Sequence, residues 1–359
     1  MSNKEKIRIL VVGCGNMGTS HAIAYHNMDE FEICGLVSTG KSKEVLNEKL
    51  GGGYTLYDDY EEALEATKPG AVAISTYPDT HESFAMKAFD AGCHVFVEKP
   101  VADTVEGSER IVAAAKKAGK KLVVGYILRH HPSWERFIEL SQNVGRPLVM
   151  RMNLNQQSDT AMWTLHRNLM KSLSPIVDCG VHYIDVMCQM TRSKPVSVNA
   201  IGARLTEDIP VGNYNYGQLQ LRFEDGSVGW YEAGWGPMIS ETAFFVKDVV
   251  GPKGSVSIVA RDAGGKGKSG SIEAHTKTES LLVHHADLDE NEKFAKEDEW
   301  IDLQDEPDHQ ELCNREQRYF LKAIQEDIDL SDHMDDAVNS LRIAFACDKS
   351  VRTGQTVTL

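Results

Sequence analysis

Three side chains in this sequence have types and spacing that suit acid–base chemistry. Asp178 and His182 lie four residues apart, so on a helix they would share one face. Lys99 precedes Pro100, which biases the lysine away from helical geometry. A near-neutral imidazole suits proton transfer at an alcohol or carbonyl, and an ammonium group stabilises negative charge on the reacting oxygen. The alternative is a purely structural Asp–His pair.

A glycine pattern follows the first apolar run of the chain. Gly13, Gly15 and Gly18 form GxGxxG directly after the β-branched run at 7–12 and open a helical pattern at 17–27. In that context the three glycines allow a tight turn, close approach of a pyrophosphate and close helix–strand packing. The helix start, with Asn16 and Met17, would offer free N–H groups to the phosphates. A glycine turn without a ligand is the alternative.

The residues after the second predicted strand bear on which nucleotide binds. NAD sites place an Asp or Glu there to accept the ribose hydroxyls, whereas this chain has Ser38 and Thr39, followed by Lys41 and Lys43. Hydroxyls with nearby ammonium groups would bind a 2′-phosphate, so the sequence favours NADP(H), with NAD(H) as the second choice. The alternative is that these lysines only solvate a helix start.

The elements that must position these residues fall into two patterns. Strands predicted at 7–12, 31–37, 71–75, 94–98 and 121–125 alternate with helices at 17–27, 41–49, 60–66, 80–91 and 105–118. This alternation indicates a parallel, doubly wound sheet. The pattern changes near Arg129, so we predict an N-terminal Rossmann domain at 1–128 and a C-terminal domain at 129–359.

The C-terminal domain is predicted to be α+β, with an open, mostly antiparallel sheet. Its predicted elements are a strand at 148–156, a helix from about 174 to 190, strands at 196–205, 216–223 and 228–235, a strand from near Thr242, and a strand at 256–259. Asp225-Gly226 supplies the positive φ of a tight hairpin turn. The glycine-rich stretch 264–270 is interpreted as a hairpin tip rather than a phosphate loop, because no helix follows it.

Composition limits the classes of partner. The formal net charge is -15, which argues against nucleic acid and anionic membranes. The acidic stretch at 287–311 is interpreted as a solvated surface rather than a binding tail. The seven cysteines form no CxxC pair, so we expect reduced thiols, a cytoplasmic protein and no metal site. No apolar run approaches the roughly 18 residues of a membrane span.

Together these motifs resemble the glucose–fructose oxidoreductase, inositol dehydrogenase and rhizopine-catabolism (Gfo/Idh/MocA) family. The resemblance covers essentially the whole chain and includes the glycine motif and the segments 74–81, 92–100, 178–185, 251–255 and 352–357. It implies that Lys99, Asp178 and His182 form the catalytic set. It also implies reversible oxidation of a secondary alcohol of a sugar, sugar acid or cyclitol, and a homodimer or homotetramer assembled through the C-terminal sheet.

The expected cofactor contacts extend beyond the glycines. They are Ser75, Thr76, Tyr77, His81, Glu98 and Lys99, in addition to Ser38, Thr39 and Lys43.

The substrate pocket is harder to infer, because the chain departs from the family pattern there. Many members have Asn at the position of Ile127, and many have a glycine cluster where this chain has residues 172–175. Candidate substrate contacts, beside His182, are Arg129, Trp163, His166 and Arg167. Trp163 could stack on a sugar face and an arginine could hold a carboxylate. Equally, Trp163 could be ordinary packing and Arg129 a salt bridge between domains.

Three functions fit the sequence. The first is a nicotinamide-dependent sugar or cyclitol dehydrogenase or reductase. The second is a glycoside hydrolase or lyase that retains its cofactor and acts through a transient ketone. The third is a non-catalytic cofactor-binding sensor, which the intact set of Lys99, Asp178 and His182 argues against. Net reduction of cofactor, followed at 340 nm, separates the first from the second.

Overall fold

Two sheets organise the chain. The computed structural model describes residues 6–240, 246–259, 276, 278–303 and 306–359. Thr242, where a strand was expected to begin, and the glycine-rich stretch 264–270 lie outside the described residues.

The first sheet contains six parallel strands in the order β3-β2-β1-β4-β5-β6. The strands are β1 (Ile7–Val12), β2 (Phe31–Val37), β3 (Leu56–Tyr57), β4 (Ala71–Ile74), β5 (His94–Val97) and β6 (Leu122–Val124). The helices between them are α1 (Asn16–His26), α2 (Ser42–Lys49), α3 (Tyr60–Thr67), α4 (Pro78–Asp90) and α5 (Val105–Ala118). Strands β4 and β6 are buried throughout, as expected for parallel strands covered on both faces.

Local signals set the helix boundaries in this part of the chain. Thr104 accepts a hydrogen bond from the Gly107 N–H at 3.0 Å and caps the start of α5. Gly119 ends α5 with a left-handed φ of 62°. Both ends therefore lie where the predicted helix at 105–118 placed them.

The second sheet contains nine strands in the order β14-β13-β12-β11-β7-β10-β9-β8-β15. The strands are β7 (Val149–Gln157), β8 (Pro195–Ala203), β9 (Tyr216–Phe223), β10 (Val228–Gly236), β11 (Lys247–Gly251), β12 (Gly254–Val259), β13 (Ser280–His285), β14 (Glu299–Asp302) and β15 (Val357–Thr358). Among these strands, β7 and β10 pair in parallel and the other pairs are antiparallel. The predicted fold class is confirmed.

The remaining helices of the described chain follow β6. They are α6 (Pro132–Ser141), α7 (Thr160–Leu169), α8 (Val181–Thr191), α9 (His309–Gln325) and α10 (Ser331–Thr353), with a 3₁₀ turn at Ile127–His130 and a π-helical turn at Ile176–Gly180. The helix predicted from about 174 to 190 is therefore not one regular α-helix. None of the helices in the described part of the chain is both long and apolar enough to span a membrane.

The chain divides into two compact units, which differ from the predicted domains in one respect. Unit 1 comprises Met1–Ile127 and Gln310–Val338, and unit 2 comprises Leu128–His309 and Asn339–Leu359. The predicted boundary after residue 128 lies one residue from the first division, but the prediction assigned 310–338 to the second domain. Within unit 1, Phe320 of α9 packs against Phe31 and Phe96, with ring centroids 6.4 and 6.2 Å apart. Hydrophobic periodicity does not reveal such a return of the chain.

Candidate active site

The glycine turn after β1 lies at the carboxyl edge of the first sheet. Gly13 has a φ of +89°, and a Cβ there would lie 2.4 Å from the Ser75 carbonyl oxygen. A Cβ at Gly18 would lie 1.8 Å from the Gly13 carbonyl oxygen. These two positions accept only glycine, because the start of α1 packs directly against the ends of β1 and β4.

The start of α1 is open to a ligand. Gly15 is its N-cap residue, no side chain of the described residues caps it, and its first turn carries no acidic residue. A Cβ at Gly15 would meet no described atom within 4 Å. The N–H groups of the first turn, which include those of Asn16 and Met17, have no partner within an α-helix and sit at its positive end. This cradle fits the pyrophosphate of a dinucleotide.

The end of β2 gives Lys43 a role that was not expected. Its ammonium donates to the Ser38 carbonyl at 2.9 Å, the Gly40 carbonyl at 3.0 Å and the Asp58 carboxylate at 2.6 Å. An ammonium has three N–H donors, so these acceptors use all of them. The residue is also buried. Lys43 therefore stabilises the loop before α2, whereas Thr39 and Gly40 are exposed.

The residues after β4 form the next part of the same edge. Thr76 exchanges a hydrogen bond with the Thr80 hydroxyl at 2.6 Å, and Tyr77 is 64% exposed. Ser75 Oγ is buried and has no hydrogen-bond partner among the described residues. His81 is buried, with one ring nitrogen 3.0 Å from the Pro100 carbonyl and the other 3.1 Å from the Thr76 carbonyl. In this structure both ring nitrogens of His81 face the two loops that they join.

Glu98 and Lys99 follow β5 at that edge, two strands from the glycine turn. One Glu98 oxygen lies 2.7 Å from His21 Nε2, and the other accepts from the Lys99 backbone N–H at 3.1 Å. A Cβ at Gly125 would lie 3.2 Å from the Glu98 carboxyl carbon, so the end of β6 closes against this group. The carboxylate of Glu98 thereby fixes the backbone of Lys99, and Lys99 itself is half-buried.

Two consecutive residues of α9 complete the network behind Glu98. Gln317 donates to His21 Nδ1 at 2.9 Å and accepts from the Tyr25 hydroxyl. Glu316 Oε2 lies 3.9 Å from His21 Nδ1, and its Oε1 has no hydrogen-bond partner among the described residues. Burial raises the pKa of Glu316 well above its usual range, with a further contribution from the charge of Glu98. Burial also acts to raise the pKa of Glu98, but the hydrogen bond to His21, together with the positive charge and backbone N–H of Lys99, outweighs it and lowers that pKa.

In unit 2, Asp178 and His182 lie on either side of a change in helix type. Asp178 belongs to the π-helical turn, and His182 to the first turn of α8. π-Helical turns are rare and frequently occur at functional sites. A Cβ at Gly180, between them, would lie 2.9 Å from the Tyr231 ring, so the turn packs closely on β10. His182 is buried and Asp178 is half-buried.

A second buried network supports this turn. Ser174 Oγ accepts from the Val177 N–H at 3.1 Å and donates to an Asp348 oxygen at 2.7 Å. The Tyr214 hydroxyl donates to the same Asp348 oxygen. Burial raises the pKa of Asp348. The segment 172–175, where the chain departs from the family pattern, thus contains the residue that caps the turn bearing Asp178.

Arg129 is bound within unit 2. Its Nε donates to one Asp185 oxygen at 2.8 Å and its Nη2 to the other. The Arg129 side chain is 14% exposed and that of Asp185 1%. Since Asp185 lies on α8, this two-point ion pair ties the segment after β6 to the helix that carries His182.

Trp163, His166 and Arg167 lie on α7. Trp163 is buried in a cluster with Met170, Ile209 and Trp235. Its indole N–H donates to Asp208 at 3.3 Å, and the Arg167 guanidinium lies 5.6 Å from its ring centroid. This geometry is that of a packed residue, which was the alternative interpretation of Trp163.

His166 stacks on the Trp235 ring, with centroids 4.2 Å apart and an interplanar angle of 9°. The Trp235 indole N–H donates to Gln156 Oε1 at 2.8 Å. Burial lowers the pKa of His166 to about 4, against an opposing effect of the Asp178 charge. His166 is therefore a neutral imidazole, and the charge of Asp178 lies close enough to influence its pKa.

Sequence reasoning missed the supporting residues His21, Glu316, Gln317, Ser174 and Asp348. One signal existed for His21, which lies between the glycine motif and the apolar residues of α1. No local pattern marks Glu316 or Asp348, because each joins a network whose other members lie far away in sequence.

Two parts of the chain match known family models. Residues 7–126 match a family model described as oxidoreductase family, NAD-binding Rossmann fold, and residues 139–257 match the GFO/IDH/MocA C-terminal domain. The chain belongs to the Gfo/Idh/MocA oxidoreductase family. The family expected from the motifs is confirmed, and the N-terminal part of this family member binds a nicotinamide dinucleotide.

Named relatives include two sugar or cyclitol enzymes. The chain is 24% identical over 272 residues to the D-glucoside 3-dehydrogenase of Escherichia coli (strain K12), which covers 70% of this chain and 77% of the relative. It is 29% identical over 221 residues to inositol 2-dehydrogenase 4 of Saccharopolyspora erythraea, and the matched region covers 59% of this chain and 62% of the relative.

Solved structures share the fold. An oxidoreductase from Thermotoga maritima superimposes with a TM-score of 0.78 at 22% identity, covering 99% of this chain and 98% of that chain. A scyllo-inositol dehydrogenase from Lactobacillus casei, solved with NAD(H) and scyllo-inositol, gives a TM-score of 0.76 at 19% identity, with 99% of each chain covered.

Proposed function

We propose that this protein reversibly oxidises a secondary alcohol of a sugar or cyclitol with a nicotinamide dinucleotide. The observation that carries the proposal is within unit 1. An uncapped helix start behind a glycine turn and a lysine held by a buried carboxylate lie at the carboxyl edge of one parallel sheet. Ligands of open α/β sheets bind at that edge.

The residues divide the chemistry as follows. When bound, the nicotinamide supplies hydride acceptance and donation. His182 takes the proton of the substrate hydroxyl in the oxidative direction. Lys99 donates a hydrogen bond to the reacting oxygen and stabilises its developing negative charge. Asp178 orients one of these partners.

Cofactor preference rests on fewer groups than the sequence suggested. Since all three N–H donors of Lys43 are used by acceptors of the protein, Ser38, Thr39 and the exposed Lys41 are left to contact a 2′-phosphate. We therefore propose that the preference for NADP(H) over NAD(H) is small. The family model and the named NAD(H) complex support use of NAD(H) as well.

We further propose a cytoplasmic homo-oligomer assembled through the second sheet. The sequence contains seven cysteines and no CxxC pair, which fits a reducing compartment. Val149, Val228 and Val250 are between 36% and 42% exposed on neighbouring strands β7, β10 and β11. Such an apolar patch on a sheet face suits contact with a second copy of the chain.

Absorbance at 340 nm during incubation with a panel of cyclitols and sugars tests the function. We expect net formation of NADH or NADPH with at least one polyol. Product formation without net change in cofactor would support the hydrolase or lyase instead. Tight cofactor binding with no product from any member of the panel would support a sensor.

A further inference from the structure

The arginines that were expected to contact the substrate bear on its class. The sequence suggested that Arg129 or Arg167 holds a substrate carboxylate. In the structure both oxygens of Asp185 bind Arg129, and this pair is buried. A two-point guanidinium–carboxylate pair of this kind leaves Arg129 poorly placed to bind a second carboxylate.

Arg167 lies beside an acidic group. Its guanidinium lies against the ring of Trp163, and its Nη1 is 3.8 Å from an Asp208 oxygen. Asp208 in turn accepts from the Trp163 indole N–H. A substrate carboxylate near Arg167 would meet the negative charge of Asp208.

His166 offers a different kind of contact. It is 4% exposed, and its Nδ1 has no hydrogen-bond partner among the described residues. With a pKa of about 4, the ring carries no charge at neutral pH. A neutral imidazole nitrogen can exchange one hydrogen bond with a hydroxyl, whereas it gives a carboxylate no charge compensation.

A second polar atom lies at the same end of the second sheet. Ser158 Oγ is buried and has no hydrogen-bond partner among the described residues. The Ser158 N–H donates to the Gly236 carbonyl, so this serine adjoins the end of β10, where Trp235 stacks on His166. Two buried polar atoms without a hydrogen-bond partner among the described residues, one on the stacked His166 and one on a serine bound through its backbone to the residue after Trp235, suit the hydroxyls of a polyol.

We propose that the substrate is an uncharged polyol, a neutral sugar or cyclitol rather than a uronic acid, with one hydroxyl hydrogen-bonded to His166 Nδ1. This inference rests on the proposed function and goes beyond it by excluding an anionic substrate. The Asp178 carboxylate, whose charge acts on His166 within the same unit, would disfavour an anionic group placed against His166.

The test compares substrates that differ in one carboxylate. Glucose and glucuronate, and galactose and galacturonate, are assayed at 340 nm together with myo-inositol and scyllo-inositol. We expect neutral members to show a kcat/KM at least about tenfold above the matched acids, as expected for one uncompensated charge near a carboxylate. An acid that equals or exceeds its neutral partner overturns the inference and leaves the proposed function intact. Turnover of none of these compounds overturns both.

Variants of His166 test whether this residue contacts the substrate. His166→Gln keeps a neutral hydrogen-bonding group and should keep the preference for neutral substrates. His166→Lys adds a cation and should move the ratio of neutral to acidic kcat/KM toward the acid by about tenfold or more. Thermal unfolding checks that each variant is folded. An unchanged ratio in a folded His166→Lys variant removes His166 from substrate binding.

Discussion

In unit 1, a buried carboxylate directly holds the segment that contains Lys99, since Glu98 accepts from the backbone N–H of Lys99 and its other oxygen contacts His21. In unit 2, the buried carboxylate supports Asp178 only through an intermediate residue. Asp348 binds Ser174, and Ser174 caps the π-helical turn that carries Asp178. Both supports include residues of late helices, α9 in the first case and α10 in the second.

The two supports should differ in how strongly a substitution changes the stability of the fold and the turnover rate together. A change in the first network alters a buried ionised group and the lysine backbone together, so stability and turnover should fall together. A change in the second alters the start of a helix, so turnover should depend on the orientation of Asp178 more than on folding. Three substitutions test this comparison, and a fourth tests the assignment of Lys43.

The largest effect is expected from His21→Ala. It removes the contact to Glu98 Oε1 and leaves that carboxylate buried without this partner. Loss of a hydrogen bond to a charged group costs about 1.5–3 kcal/mol of unfolding free energy. Turnover should fall as well, because Glu98 also holds the Lys99 backbone. Urea denaturation and steady-state kinetics measure the two effects, and normal stability with reduced turnover would break the proposed coupling.

Ser174→Ala should have a smaller effect on stability, about 0.5–2 kcal/mol, as for the loss of a helix cap. We expect kcat to fall by about tenfold with little change in KM, since an interaction that orients a reacting group acts mainly in the transition state. Ser172→Ala is the matched control, because Ser172 is exposed in the same segment. Equal effects of the two substitutions would show that Ser174 does not position Asp178.

Glu316→Gln should stabilise the protein in a pH-dependent way. Burial raises the pKa of Glu316 in the folded state, so the fold retains a proton that the unfolded chain releases above about pH 4.3. The wild type thus loses stability from this group as the pH rises above the unfolded value. The variant's advantage in unfolding free energy should be small near pH 5 and larger at pH 8. A constant difference would show that Glu316 is ionised in the fold.

The smallest effect concerns cofactor choice. Lys43→Met should leave the ratio of kcat/KM for NADP(H) and NAD(H) within about twofold of the wild type, because its ammonium is bound to Ser38, Gly40 and Asp58. Lys41→Met, at an exposed position in the same loop, should lower the ratio of kcat/KM for NADP(H) to kcat/KM for NAD(H). A selective loss of NADP(H) use in Lys43→Met would instead restore the original assignment of that lysine.

The sequence predicted the parts of the molecule that depend on local patterns. Gly13, Gly15 and Gly18 follow a strand and open a helix, so the turn could be predicted from this pattern, and the close contacts at Gly13 and Gly18 agree with it. Lys99 could be placed at a strand end because it follows the predicted strand at 94–98 and precedes Pro100. These features could be predicted because each depends on residues within one βα unit.

The supports could not be predicted, because they depend on long-range packing. His21 and Gln317 meet across 296 positions of the chain, and Ser174 and Asp348 across 174. The π-helical turn at Asp178 was also missed, since its sequence is compatible with a regular helix. Residues 310–338 belong to unit 1 in the structure, and this return of the chain also depends on packing between residues far apart in sequence.

The most direct test of the account is His182→Ala, with kcat and the Kd for NADH measured on the same preparation. A general acid–base group contributes about 10²–10⁴-fold to rate, so kcat should fall by at least about a hundredfold while the Kd, followed by NADH fluorescence, stays within about twofold. Unchanged turnover of a true substrate would remove His182 from the chemistry and contradict the account.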